Sequence, residues 1–234
     1  MRKTRYLPLQ YRAGFNLVEL LVVITIILVL AALSFLGVSS LIRTAAAAKD
    51  ASTMRQFSSY IALYAMDHDD YLPGPLFTGQ APVYNKEPST NIKEWRRLAD
   101  CFAPYLGYDD PKRGDFIEPM TASWQKSPES RDAPAWYMQQ KLPMGDNWTT
   151  FENPWGKPAP ASSNDRVPMK LQVVLSQPKT SGTWAMTELD QLHPNVGNAS
   201  WKPLTPPTMT HGRYRLALYF NGSVGKVNQN NEPF

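Results

Sequence analysis

The sequence predicts an α+β fold in which a long N-terminal helix, half membrane-spanning and half amphipathic, packs on a C-terminal antiparallel sheet domain with long loops. Three features lead there. Leu20–Ile42 is an unbroken apolar run without a charge. Behind it Met54, Phe57, Ile61 and Tyr64 recur at spacings of three, four and three, one stripe of a helix. At the other end Tyr214, Leu216, Leu218 and Phe220 alternate like a half-buried strand and lead into Asn221-Gly222. All of the 21 prolines except Pro8 lie after residue 72, so loops and short strands are expected there.

The apolar run comes first. At about 1.5 Å per residue, roughly 20 residues cross a bilayer core of about 30 Å, and Leu20–Ile42 reaches that length. Glu19 at its edge is the anomaly, since a carboxylate in hydrocarbon costs on the order of 2.5–3.5 kcal/mol and requires a polar or cationic partner. Met1–Gly14 holds Arg2, Lys3, Arg5 and Arg12 and no acid. These are four of 24 basic residues, so the remaining 20 balance the 20 acidic ones and the formal charge of +4 belongs to the leader. A basic pI of this origin gives no reason to expect a nucleic-acid partner. Basic flanks stay in the cytoplasm, which would place the N-terminus inside and the rest outside. A secretory signal peptide, a plain single-pass anchor and a processed leader compete for the segment. The first has too short an apolar core, and the second leaves Glu19 unexplained.

Gly14-Phe15-Asn16-Leu17-Val18-Glu19-Leu20-Leu21-Val22-Val23-Ile24 resembles the prepilin signal of type IV pilins and type II secretion pseudopilins, whose common form reads G-F-T-L-I-E-L-L-V-V-I. The resemblance implies a pilin-like fold, cleavage by a prepilin peptidase between Gly14 and Phe15, and methylation of the new Phe15 amine. It also implies that Glu19 neutralises the amine of a neighbouring subunit during assembly. Asn16 stands where Thr is usual and leaves Gly14 and Glu19 intact. On this basis 1–14 is a cleavable leader, 15–42 the transmembrane and assembly half of the first helix, 43–70 its amphipathic half, and 71–234 an extracytoplasmic domain. The chain would be a single-pass protein of a bacterial inner membrane, moving to the periplasm or cell surface on filament assembly.

From Arg43 onward Ala45–Ala48 favour continued helix. Lys49, Asp50, Arg55 and Gln56 are placed off the apolar stripe. Asp67-His68-Asp69-Asp70 closes the helix and resembles the D-x-D-x-x-x-P stretch of pseudopilin-like proteins. Asp67, Asp69 and Asp70 are oxygen ligands of the kind Ca2+ takes, but the spacing lacks the Gly and Glu of an EF-hand. Solvated turn residues are the simpler expectation, and no cofactor is expected. Cys101 is alone and can form no intramolecular disulfide.

Between residues 71 and 168 the clearest periodicity is a helix over Ile92–Tyr105, and Lys157–Pro168 reads as a loop. Trp124, Trp136, Trp148 and Trp155 are expected to anchor irregular segments to the core or to mark a contact surface. Leu171–Leu175 and Thr183–Leu189 read as strands, with Glu188, Asp190 and His193 as a small polar group beside them. The hairpin 214–227 turns at Asn221-Gly222, read as a two-residue turn with both residues at positive φ. His211 precedes Asn221 by nine intervening residues. That spacing resembles the H-X9-DG motif near the C-terminus of a large group of prepilin-type bacterial proteins, with Asn221 in place of Asp.

The functional expectation is a structural subunit of a type IV pilus-like or type II secretion pseudopilus filament, not an enzyme. Its partners would be the prepilin peptidase, copies of itself and other pilin-like subunits, the inner membrane and, indirectly, an assembly ATPase and platform. The alternative is a displayed binding module that uses Trp-rich loops for a glycan or polymer.

Overall fold

The first helix starts with a reciprocal cap. Asn16 Oδ1 accepts from the Val18 N–H at 3.2 Å, and Glu19 Oε2 accepts from the Asn16 N–H at 3.2 Å. This pair is a capping box, which satisfies two of the backbone donors that a helix N-terminus leaves open. The computed structural model describes residues 16–85, 96–125, 128–146, 150–158 and 167–228, so Gly14 and Phe15 lie outside the described residues.

Three α-helices are described: α1 (Leu17–Asp67), α2 (Leu98–Phe102) and α3 (Leu171–Leu175). The strands are β1 (Gly79–Gln80), β2 (Trp136–Met138), β3 (Leu142–Pro143), β4 (Phe151–Glu152), β5 (Trp184–Glu188), β6 (Arg215–Tyr219) and β7 (Val224–Val227). Five of them form an antiparallel sheet in the order β1-β2-β5-β6-β7, and β3 pairs with β4. The chain divides into two compact units, Met1–Thr44 and Ala45–Phe234.

In the first unit the described apolar side chains of α1 face outward. Leu17, Leu28 and Leu41 are 77%, 64% and 69% exposed. Thr25 and Thr44 donate back to Leu21 O and Ser40 O, so their hydroxyls are satisfied within the helix. Among the described residues no helix is long and apolar enough to cross a membrane. The expected transmembrane half at 15–42, and the single-pass placement in an inner membrane that followed from it, are corrected accordingly. A span requires about 20 consecutive apolar residues. Leu20–Leu33, the longest stretch of the run whose side chains are all described, falls short of that and directly follows Glu19. The fold class becomes helices around a mostly antiparallel five-stranded sheet.

In the second unit α1 buries the expected stripe. Met54, Phe57, Ile61 and Tyr64 are buried, and Phe57 meets the Trp136 ring edge-on at 5.3 Å and Phe102 at 5.7 Å. Each such side chain contributes about 1.5–3 kcal/mol of burial, enough to dock the helix without help from propensity. The opposite wall is the sheet. Leu216 and Leu218 of β6 pack into the same cluster as the stripe, while Ala217 joins Tyr137, Trp184 and Leu189 in a second cluster on the far face. Strand β6 is thus covered on both sides. A register shift between Trp184 and Met186 breaks the alternation in β5. Beyond it Met186 lies on the α1 face, and Glu188, two residues later, shares that face.

Several local expectations change. Leu171–Leu175 is helix, not strand, because Asp70 Oδ2 accepts from the Gln172 N–H at 3.1 Å and Asp70 O accepts from Leu171. The helix expected over Ile92–Tyr105 is reduced to α2 and a 3-10 turn at Ala103–Leu106, its start lying outside the described residues. Trp136, Trp155 and Trp184 are buried and Trp124 is half-buried, so these act as core anchors; Trp148 lies outside the described residues. The C-terminal turn is one residue longer than a two-residue hairpin loop. Gly222 N–H donates to Tyr219 O and Tyr219 N–H to Ser223 O, which centres the turn on Phe220-Asn221 and puts Gly222 alone at positive φ, +82°. This is a turn followed by a glycine bulge. Asn221 Oδ1 accepts from both the backbone N–H and the hydroxyl of Ser223.

A Cβ at Gly222 would lie 2.8 Å from Ser58 Oγ of α1. Gly222→Ala should therefore destabilise by about 1–2 kcal/mol through strained backbone plus this contact. The double variant with Ser58→Ala should recover only the contact. Denaturant midpoints of the three proteins check this, and full recovery by Ser58→Ala would show that the backbone conformation costs nothing.

Candidate functional site

Asp50, Glu188 and His211 bring one ligand atom each within 4.8 Å of one another. They come from α1, from the end of β5 and from the segment leading into β6. Asp50 reaches the site because it lies four residues before Met54 and seven before Phe57, on the stripe that α1 turns toward the sheet. It is fully buried, not off the stripe as expected. Glu188 arrives by the two-residue period of β5 and is fully buried. His211 is held by its own N–H, which donates to Tyr214 O at 3.3 Å, and its ring tilts against Tyr214 with centroids 5.3 Å apart.

His211 Nε2 lies 2.8 Å from Glu188 Oε1 and 3.8 Å from Asp50 Oδ2. The other oxygen of each acid is engaged. Glu188 Oε2 accepts from the Leu216 N–H at 2.8 Å. Asp50 Oδ1 accepts from the Ser123 hydroxyl at 2.7 Å and the Ser123 N–H at 3.1 Å. Asp50 Oδ2 is buried without a hydrogen-bond partner. Burial pushes Glu188 up, against the hydrogen bond and charge of His211. Burial also pushes Asp50 up, against the bonds from Ser123 and the charge of His211. For His211 burial works downward, but the hydrogen bond and charge of Glu188, with Asp50 adding, outweigh it and raise the imidazole. The three groups thus compete for protons in a dry pocket where an uncompensated charge is expensive. The Ser123 hydroxyl sits on Asp50 and not on His211, so it forms no nucleophile–base pair there.

The other residues singled out by sequence are separated from this cluster. Asp190 and Arg215 form a fully buried bidentate pair joining the segment after β5 to β6. The acidic turn is a helix stop. Asp70 N–H bonds to Ala65 O at 2.8 Å with Asp69 and Asp70 at φ 52° and 68°, a Schellman closure in which Asp takes the place of Gly. Asp67 Oδ2 accepts from the Tyr105 hydroxyl, and His68 Nδ1 lies 2.8 Å from Tyr64 O. Asp67 and Asp70 are engaged by Tyr105 and Gln172 respectively, and among the described residues the three carboxylates are not gathered around a common point. His211 and Asn221-Gly222 lie beyond opposite ends of β6, so the two halves of the H-X9-NG spacing never meet. Only Glu188 and His211 of the cluster were visible to motif reasoning; Asp50 carried the signal of an acid at an apolar stripe position.

A scan against protein-family models, a search of curated proteins and a search of solved structures each returned no match.

His193, next to these groups in sequence, is packed elsewhere. Its ring stacks on Tyr137 at 4.5 Å and meets Trp184 edge-on at 6.0 Å. Its Nδ1 accepts from the Asn195 N–H, and its Nε2 is buried without a hydrogen-bond partner. Burial, then the charge of Arg215, push it down to about 3. An unfolded His takes up its proton near pH 6.5, so between there and pH 3 the unfolded state binds more protons and stability falls with pH. The loss at pH 5 is about 2 kcal/mol relative to pH 8. His193→Phe keeps the ring packing and removes the titration. Denaturation at pH 8 and pH 5 should show the wild type losing about 2 kcal/mol more than the variant; equal losses would place the acid sensitivity elsewhere.

Proposed function

We propose that the chain is a structural subunit of a type IV pilus-like or type II secretion pseudopilus filament, processed by a prepilin peptidase and assembled through its N-terminal helix. The observation that carries this is the outward apolar surface of α1 over Leu17–Leu33, directly behind the Gly14-Phe15 sequence, with Val38, Leu41 and Ile42 exposed beyond it. Large apolar side chains about half exposed or more along Leu17–Leu33 form a surface of the kind that marks an interaction site. Packing against the same helix of neighbouring copies would cover it. Asp50, Glu188 and His211 are on this reading part of the displayed domain's framework and not of a reaction centre.

Two measurements test it. Mass spectrometry of the protein from cells that possess the peptidase should give a mature chain starting at Phe15 with one added methyl group; an intact Met1 would overturn the proposal. For Glu19 two roles must be separated, since it caps its own helix by accepting from Asn16. Glu19→Gln retains a capping side chain and loses the charge. If the carboxylate neutralises a neighbour's amine, Glu19→Gln and Glu19→Ala are both processed and both fail to enter filaments. Normal assembly of Glu19→Gln would reduce Glu19 to a helix cap.

A further inference from the structure

We infer that Asp50, Glu188 and His211 bind one divalent transition-metal ion of the zinc class, clasping α1 to the sheet. Four observations converge on it. The three donor atoms lie within 4.8 Å of one another, close enough for one ion to replace the present hydrogen bond. Each carboxylate is fixed through one oxygen, by Ser123 or by the Leu216 N–H, and turns its other oxygen to the common point. Such outer contacts are what orients metal ligands. Asp50 Oδ2 is fully buried with no hydrogen-bond partner, an unsatisfied acceptor that a cation would satisfy. Once the proton between His211 and Glu188 has left, two carboxylates facing a neutral imidazole carry two negative charges, matched by a divalent ion.

The donor set selects the ion. One imidazole nitrogen with two carboxylate oxygens suits zinc and its neighbours, whereas Ca2+ and Mg2+ prefer oxygen alone and more of it. On binding, the proton shared between His211 Nε2 and Glu188 Oε1 leaves to solvent and the ion takes its place. This site is distinct from the acidic turn at Asp67–Asp70 and does not depend on filament assembly.

The test uses the full chain, stripped with a chelator and titrated with Zn2+, Ca2+ or Mg2+. Native mass spectrometry should show one Zn2+ per chain, and the melting temperature should rise and level off at one equivalent. Ca2+ and Mg2+ at the same concentration should do neither. Asp50→Asn keeps an acceptor for Ser123 but loses the ligand charge, and with His211→Gln should weaken Zn2+ binding at least tenfold. His68→Gln should leave it unchanged. Zinc-edge X-ray absorption of the loaded wild type should show a nitrogen and oxygen shell containing one imidazole, which decides the matter even if a variant fails to fold. Absence of stoichiometric uptake, wild-type affinity in folded Asp50→Asn and His211→Gln, or a shell without imidazole would each overturn the inference.

Discussion

The contact on which the second unit depends is the burial of Asp50 against Glu188 and His211. An apolar stripe alone lets a helix slide or roll on a sheet at little cost, because Met54, Phe57, Ile61 and Tyr64 would find comparable partners one step away. A fully buried acid does not permit that. Sliding or rolling the helix would take Asp50 from Ser123 and His211 and leave its carboxylate buried without those partners. Removing one partner of such a group costs about 3–5 kcal/mol, whereas an apolar replacement of the whole set is often neutral. The cluster therefore fixes where α1 lies more than it adds to how stable the unit is.

The same logic governs the far face. Arg215 and Ala217 of β6 point away from α1, and there a second buried ion pair, Asp190 with Arg215, holds the segment after β5 over Trp184 and Tyr137. Successive residues of one strand thus supply the apolar wall for the helix and the cation for the opposite layer. The backbone N–H of Leu216 links the two, since it serves Glu188 on the α1 side. Strand β6 is the element through which both polar devices act.

Much of this was legible in the sequence where a period repeats several times. The α1 stripe and the alternation of β6 rest on such repeats, while β5 was read from its composition. Asp50 was not seen because a stripe counted from apolar residues alone omits the polar member that continues it. Leu171–Leu175 is too short for a period to decide, and its state was set by Asp70, about a hundred residues away in the chain. Asn221-Gly222 marked the turn but not its offset, since only Gly222 takes positive φ. Glu19 was treated as an isolated charge, although N-x-x-E before an apolar run is the capping-box pattern. Asp69 and Asp70 were weighed as ligands because clustered carboxylates suit Ca2+, whereas both take left-handed φ where the helix closes.

The spacing of nine between His211 and Asn221 has a geometric cause. The intervening stretch contains β6, and its two ends touch α1 at different heights. His211 faces Asp50, while Gly222 sits against Ser58. Eight residues of helix separate those contacts, about 12 Å of rise. A shorter or longer strand would miss one of them. Asn221 serves this arrangement through a single side-chain oxygen, which accepts from Ser223, and the turn makes no demand on charge. His211 by contrast depends on being a base between two acids. The two ends of the stretch thus differ in kind: Asn221-Gly222 shapes the chain so that the strand ends at α1, and His211 supplies the chemistry at the end where α1 carries Asp50.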